Sequence, residues 1–402
     1  MRASSLKITG FLLLAGLAPW TLAAQPVPLG PETLVSDDTA VFGFCPRAAA
    51  AADGSLEIAW EGGSPPFRIL SRHYDASGSP AGAGPIQIGS FDHFEGIKAV
   101  TAVSGGFRVL TGSGNDAGVL PGMPALFHQI LLGPSGAPEP AGPRPVGSRD
   151  TFWIWPGPGD TLLAGRDLIG KRVLQLQRVS PAGKPSRPFV PLNSQPVFDH
   201  APSVQVIPLA DGGWIAVWFA AVETAPGSVQ YAMRARRFSA AGKPLGQELA
   251  PLGGRGGANA PVVVADPSGG FAVASQITDY PFNNPNNPPV ITILLRFFDA
   301  AGRPRGPEAL VAQGTSLSPP AAAAFDGSGH LLLLWSDAGS RIQAQLFGTD
   351  GNPVGPAFQP ASDGQTGGCP GVVWTGDSWA ITWLGRKSTS TEGSIFLRRF
   401  RE

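Results

Sequence analysis

Strand-like apolar runs such as residues 232–238 and 291–298 end at a polar phrase built around Gly and Pro, and no stretch carries a helical period. The phrase reads Asp75-Ala76-Ser77-Gly78-Ser79-Pro80, then Ser180-Pro181-Ala182-Gly183-Lys184-Pro185. It returns as Ser239-Ala240-Ala241-Gly242-Lys243-Pro244 and Asp299-Ala300-Ala301-Gly302-Arg303-Pro304, with weaker copies at residues 133–138 and 349–353. Each places Gly where a tight hairpin needs a positive φ. Pro follows where an outer edge strand tolerates a missing donor. The pattern predicts six hairpins of one kind.

A second phrase alternates with the first. Asp53-Gly54 precedes a run ending in Trp60, Asp211-Gly212 one ending in Trp218, Ser328-Gly329 leads to Trp335, and Gly376-Asp377 to Trp383. The interval from turn to Trp is seven in all four, and the same interval places Thr111, Arg166 and Ser275 in phase. These seven positions are about 54 residues apart, and seven such units fill the 378 residues from Gln25 onward. A period of that size with four short strands per unit predicts an all-β fold, a seven-bladed β-propeller spanning residues 25–402 as one domain. The run Ile395–Phe400 reads as a third strand with no following hairpin, whereas Pro28–Val35 matches Pro304–Val311 at six of eight positions. The last blade is therefore expected to be closed by the N-terminal strand.

The alternation of an Arg-Phe-Asp-Ala-x-Gly-x-Pro-x-Gly-x-Glu phrase with an Asp-Gly-Gly-x-x-x-x-Trp phrase resembles repeats found in bacterial exported proteins. The resemblance covers essentially all of residues 27–402 and implies architecture and export rather than an activity. Blades 2 and 3 depart most from it.

Composition narrows the class. With 43% hydrophobic residues and equal numbers of acidic and basic side chains, 29 each, the chain is not disordered and presents no basic footprint for nucleic acid. Arg2 and Lys7 precede an apolar stretch from Gly10 to Ala18, and small residues at Ala23 and Ala24 stand before Gln25-Pro26. This predicts a signal peptide over residues 1–24 and a periplasmic or extracellular, soluble, monomeric product without membrane insertion.

Cys45 and Cys369, the two cysteines, are 324 residues apart, six periods of about 54, and each precedes Pro at the start of an innermost strand. Blades 1 and 7 are neighbours in a closed ring, so the spacing predicts a disulfide, with two separately buried thiols as the alternative. No hydrolase, metalloprotease, phosphate-loop or calcium-loop motif occurs, and no cofactor or metal is expected; Asp-Gly pairs such as Asp53-Gly54 and Asp326-Gly327 read as turns.

Two features could carry chemistry. Phe91-Asp92-His93 and Phe198-Asp199-His200 repeat one word before the inner strands of blades 2 and 4. A His beside a carboxylate suits proton transfer, which makes His93, His200, Asp92, Asp199 and Glu95 the candidate catalytic groups. The competing reading is a packed Phe, a capping Asp and a His bonded to backbone. The expected long loop from Gln276 to Val290 offers Tyr280, Phe282, Asn283, Asn284, Asn286 and Asn287, a set suited to stacking on and hydrogen-bonding a glycan. The four in-phase Trp residues read as packing between blades. The sequence thus favours a module binding a protein or glycan on its loop-rich face, with a hydrolase or lyase of extracellular polymer as the alternative.

Overall fold

The computed structural model describes residues 25–36, 45–62, 66–93, 95–113, 126–148, 151–168, 172–197, 203–225, 228–254, 261–279, 289–362, 365–387 and 393–402. The expected signal peptide lies outside them. Seven antiparallel sheets follow one another, and their innermost strands touch in order until blade 7 meets blade 1. Those inner strands are Arg47–Ala50, Gly96–Val103, Trp153–Pro156, Ser203–Pro208, Val262–Ala265, Ala322–Phe325 and Gln365–Trp374. The chain is a seven-bladed β-propeller.

The turn chemistry explains the repeat. In each of the six hairpins the Gly has a left-handed backbone, as at Gly78 (φ 84°), Gly242 (φ 83°) and Gly302 (φ 79°). The acid that opens the phrase completes the turn: Asp299 Oδ1 accepts from the backbone N of Ala301 and of Arg303, at 2.9 and 2.8 Å. The Pro two residues beyond then pairs back across the hairpin, Phe298 opposite Pro304 and Tyr74 opposite Pro80. An L side chain at these Gly positions would be strained in any environment.

The core is divided by seam. Seven apolar clusters each join two neighbouring blades, as where Trp155, Leu163, Leu174 and Leu176 of blade 3 meet Val204, Trp214 and Trp218 of blade 4. Trp60, Trp218, Trp335 and Trp383 are all buried against the preceding blade, the packing role expected for them. The Glu that follows a hairpin points the same way. Glu248 accepts from the backbone N of Ser194, and Glu32 from that of Ser362, tying blade 4 to blade 3 and blade 7 to blade 6.

The ring closes as the sequence predicts. Val27–Pro28 and Thr33–Leu34 both pair antiparallel with Ser394–Arg401, through Pro28 opposite Phe400 and Leu34 opposite Phe396. Val35 is fully buried, and its N donates to Ile395 O at 2.8 Å. From blade 1, the Arg72 guanidinium reaches the carbonyls of Leu34 and Val35 at 3.2 and 3.0 Å. Cys45 and Cys369 form a disulfide with Cα atoms 5.0 Å apart. Cys369 sits on a bulge between Gly368 and Gly371, with φ 52°, where the inner strand of blade 7 turns toward blade 1.

Two ties therefore act on one seam. The disulfide spans 324 residues, for which chain entropy sets an upper stabilisation of about 5–6 kcal/mol. Deleting residues 25–36 is expected to lower the melting temperature and cause self-association through the exposed edge of Ser394–Arg401. Cys45→Ser with Cys369→Ser is expected to lower it as well, and combining both changes should cost more than their sum, because each tie holds the seam when the other is lost. Calorimetry of the four forms under non-reducing conditions checks this; additive losses would show that the ties act independently.

Candidate functional site

Of the two repeated words, Phe91-Asp92-His93 lies within the described residues; Phe198-Asp199-His200 lies outside them, as do Tyr280, Phe282, Asn283, Asn284, Asn286 and Asn287. The loop that carries those Asn residues is shorter than the sequence suggests. Phe271–Asp279 and Val290–Phe298 stay paired as far as Asp279 opposite Val290, so Gln276–Asp279 belong to the ladder.

The first word divides by role. Phe91 ends the outer strand of blade 1 and packs into the seam with blade 2, while Asp92 is exposed. Glu95 is fully buried and gathers its neighbours: Oε1 accepts from His93 Nε2 at 3.0 Å, and Oε2 from Thr111 Oγ1 at 2.6 Å and His128 Nδ1 at 3.0 Å. Thr111 stands at the position that carries Trp in blades 1, 4, 6 and 7. Its smaller side chain accompanies a polar group where the seams before blades 1, 4, 6 and 7 pack an indole. His128 pairs directly across from Thr111, 33 residues beyond Glu95, and no local spacing announces it. His93, 47% exposed, forms the outer edge of this cluster.

The same seam holds two further buried carboxylates on the second strand of blade 1, Leu56–Gly62. Glu57 accepts from His73 Nδ1 at 3.0 Å; burial pushes its carboxyl up, and the bond from His73 pulls it back. Glu61 accepts from the backbone N of Ile97. Burial pushes its carboxyl up to about 7, against the opposing pull of that N–H and of the Arg47 and Lys98 charges. Elsewhere, Asp326, His330 and Glu402 bring ligand-type atoms within 4.8 Å of one another. Asp326 Oδ1 is already engaged as a turn cap, accepting from the backbone N of Ser328 and His330 at 2.8 Å each.

The central channel is the second candidate. At one end it is apolar, lined by Ala50, Ala102, Ala265, Phe325 and Trp374. At the end bearing the disulfide it widens into two cavities of about 430 and 600 Å³ that share Arg47, Pro320 and Ala321. The inner one is walled by Phe127, Phe152 and Trp153 and by the polar groups of Lys98, Ser203 and Gln205. The outer one carries Arg386 beside Cys45 and Cys369. Neither His93, Glu95 nor His128 lines either cavity, so the carboxylate–histidine cluster and the channel are separate features.

The architecture is shared with solved proteins of low identity. The chain is similar to a polysaccharide lyase, Uly1, with TM-score 0.53 and 10% identity over 94% of each chain. It is similar to the β-propeller domain of the Trilobed protease from Pyrococcus furiosus, with TM-score 0.51 and 8% identity over 89% of this chain and 94% of that one. It is also similar to the GH93 α-L-arabinofuranosidase of Fusarium graminearum solved with arabinobiose, with TM-score 0.50 and 11% identity over 92% and 96%. At these identities the likeness concerns the fold alone. No family model and no curated protein sequence matches the chain.

Glu61 makes stability depend on pH. Between its ordinary 4.5 and about 7 the folded chain holds a proton that the unfolded chain has released, so its contribution falls as pH rises through that window. Glu61→Gln is expected to match the parent near the lower bound and to exceed it above the upper one, by at most about 3 kcal/mol. Denaturant melts at both ends of the window check the sign; an equal change at both pH values would contradict it. Glu95→Ala strands the buried Thr111 hydroxyl and the His128 ring, with an expected loss of about 3 kcal/mol in the same assay. A loss below about 0.5 kcal/mol, the usual range for surface sites, would show that the cluster contributes little.

Proposed function

We propose that the chain is an exported propeller that binds a glycan at the wide end of its central channel. The observation that carries this reading is the pair of joined cavities, about 430 and 600 Å³, in which aromatic and hydrogen-bonding side chains face one space. Concave sites of this volume with a few convergent polar groups are what small-ligand and saccharide recognition requires. Phe127, Phe152 and Trp153 offer ring faces, and Ser203 and Gln205 offer polar groups. Export is supported by the Cys45–Cys369 disulfide, a bond that persists in oxidising compartments, and by the layout of residues 1–24. Among the described residues no helix is long and apolar enough to cross a membrane.

The alternative is a hydrolase or lyase acting on a polysaccharide. The described part of its proposed machinery gives it less support, since Glu95 is enclosed by three partners and Asp92 stands outside the channel lining. Glycans nevertheless lead the panel to be tested, and two of the similar folds belong to a polysaccharide lyase and an arabinofuranosidase.

The test is thermal unfolding of residues 25–402 against neutral and acidic oligosaccharides, each followed by chromatography of the sugar. A ligand at a hundred times its Kd raises stability by about 2.7 kcal/mol. A saturable rise with the sugar recovered intact supports binding. Shortened or unsaturated sugar would replace it with the enzymatic reading, and no rise with any glycan would remove both.

A further inference from the structure

Blades 5 and 6 build the same turn between their first and second strands. In blade 5 the backbone N of Asp266 donates to Gly270 O, and Asp266 Oδ1 accepts from Ser268 N at 2.7 Å. In blade 6 the backbone N of Asp326 donates to His330 O, and Asp326 Oδ1 accepts from Ser328 N at 2.8 Å. Both acids are buried, Asp326 with 4% of its surface exposed. A buried carboxylate calls for a counter-charge. Asp266 has one, because Arg305 Nη1 lies 2.7 Å from its Oδ2. Arg305 follows Gly302-Arg303-Pro304 of the hairpin phrase, whereas in blade 6 the matching Gly351-Asn352-Pro353 is followed by Val354. The residue that neutralises the turn acid of blade 5 is thus exchanged for an apolar one in blade 6.

Asp326 Oδ2 meets a histidine and a second acid instead. His330, which stands where blade 5 has Gly270, brings Nδ1 to 3.3 Å from it. Glu402, just beyond the third strand of blade 7, brings Oε1 to 2.9 Å from the same nitrogen. The three side chains offer ligand atoms that all lie within 4.8 Å of one another. Among the described residues no Arg or Lys pairs with either carboxylate. Neither contact to Nδ1 has the alignment of a hydrogen bond, although both are short. A protonated imidazole would answer one negative charge and leave the other, whereas a divalent cation answers both. An ion such as Zn²⁺ holds nitrogen and oxygen ligands about 2.0–2.2 Å away, which spaces neighbouring ligand atoms about 3–3.5 Å apart. The two contacts to Nδ1 have that spacing.

We propose that Asp326 Oδ2, His330 Nδ1 and Glu402 Oε1 bind a divalent transition-metal ion, with water completing its shell. One imidazole with two carboxylates suits Zn²⁺ better than Ca²⁺ or Mg²⁺, which take oxygen ligands. The turn expected at Asp326-Gly327 is present, and the metal takes the oxygen that the turn leaves over. His330 is partly exposed and Glu402 exposed, so the ion has a path from solvent. His330 immediately precedes Leu331–Ser336 of blade 6, and Glu402 ends the strand on which Val27–Pro28 and Thr33–Leu34 close the ring. The ion therefore fastens the closing strand to the blade on its other side. Asp326 adjoins Phe325 at the narrow end of the channel, so the site is independent of the glycan reading.

Calorimetric titration of untagged, chelator-treated residues 25–402 with zinc chloride, and with calcium and magnesium chloride for comparison, tests this. One equivalent of zinc is expected to bind, about tenfold or more tighter than calcium, and to raise the melting temperature. His330→Gln and Glu402→Gln should each weaken zinc by about tenfold or more and remove most of the thermal shift. Both positions are accessible to solvent, and should one variant fail to fold the other still decides. Zinc bound equally well by either variant, or calcium or magnesium bound as tightly as zinc, would overturn the site. No zinc bound by the parent would overturn it too, and would leave His330 as a cationic bridge between the two acids. None of these outcomes bears on the glycan reading.

Discussion

A four-stranded blade covers only part of its own apolar surface, so each of the seven needs a neighbour on both sides. Six seams are formed by blades adjacent in sequence, and the chain makes them as it runs. The seventh joins residues at opposite ends of the chain, and its apolar cluster of Val35, Trp60, Tyr74, Leu384 and Ile395 exists only when the ring is closed. Loop entropy works against that closure, and three kinds of contact answer it: ladder pairing along Ser394–Arg401, the Arg72 guanidinium on the carbonyls of Leu34 and Val35, and the Cys45–Cys369 bond.

Closure also makes the channel. Arg386 belongs to the second strand of blade 7, Arg47 to the inner strand of blade 1 and Lys98 to that of blade 2, so this part of the lining straddles the closing seam. The disulfide stands at the rim of the outer cavity, which places the covalent tie and the channel lining on the same scaffold. The neighbouring seam, between blades 1 and 2, is polar in a different way. Glu57 and Glu95 there are enclosed and bonded to histidines, an arrangement that orients side chains without presenting them to a guest.

The fold could be read from the chain because turn geometry restricts residue choice at fixed offsets. Gly with positive φ, a capping Asp and an edge Pro recur whatever the strands contain, and their interval gives the blade count. The disulfide was accessible for the same reason, as a separation equal to a whole number of periods. The site was readable only in fragments. His93 and Glu95 stand out as neighbours in sequence, but His128 joins them through the register that sets it opposite Thr111, and register is a property of the folded sheet. Arg47, Lys98 and Arg386 look in sequence like scattered surface cations, since only the closed ring brings three blades round one axis. The exchange of Trp for Thr111 was the one local sign that the seam before blade 2 is built differently.

The closing strand also imposes an order in time. Ser36, whose hydroxyl accepts from Ile395 N, precedes that partner by 359 residues. At ordinary rates of synthesis the first strand of the ring waits roughly 20–70 s for the last to be made. Throughout that interval Val27, Leu29, Leu34 and Val35 form an apolar segment with no ladder to join, and Cys45 is a thiol without its partner. A propeller sealed in this way is vulnerable while it is incomplete, and its biogenesis depends on keeping the earliest residues unpaired until the final ones arrive.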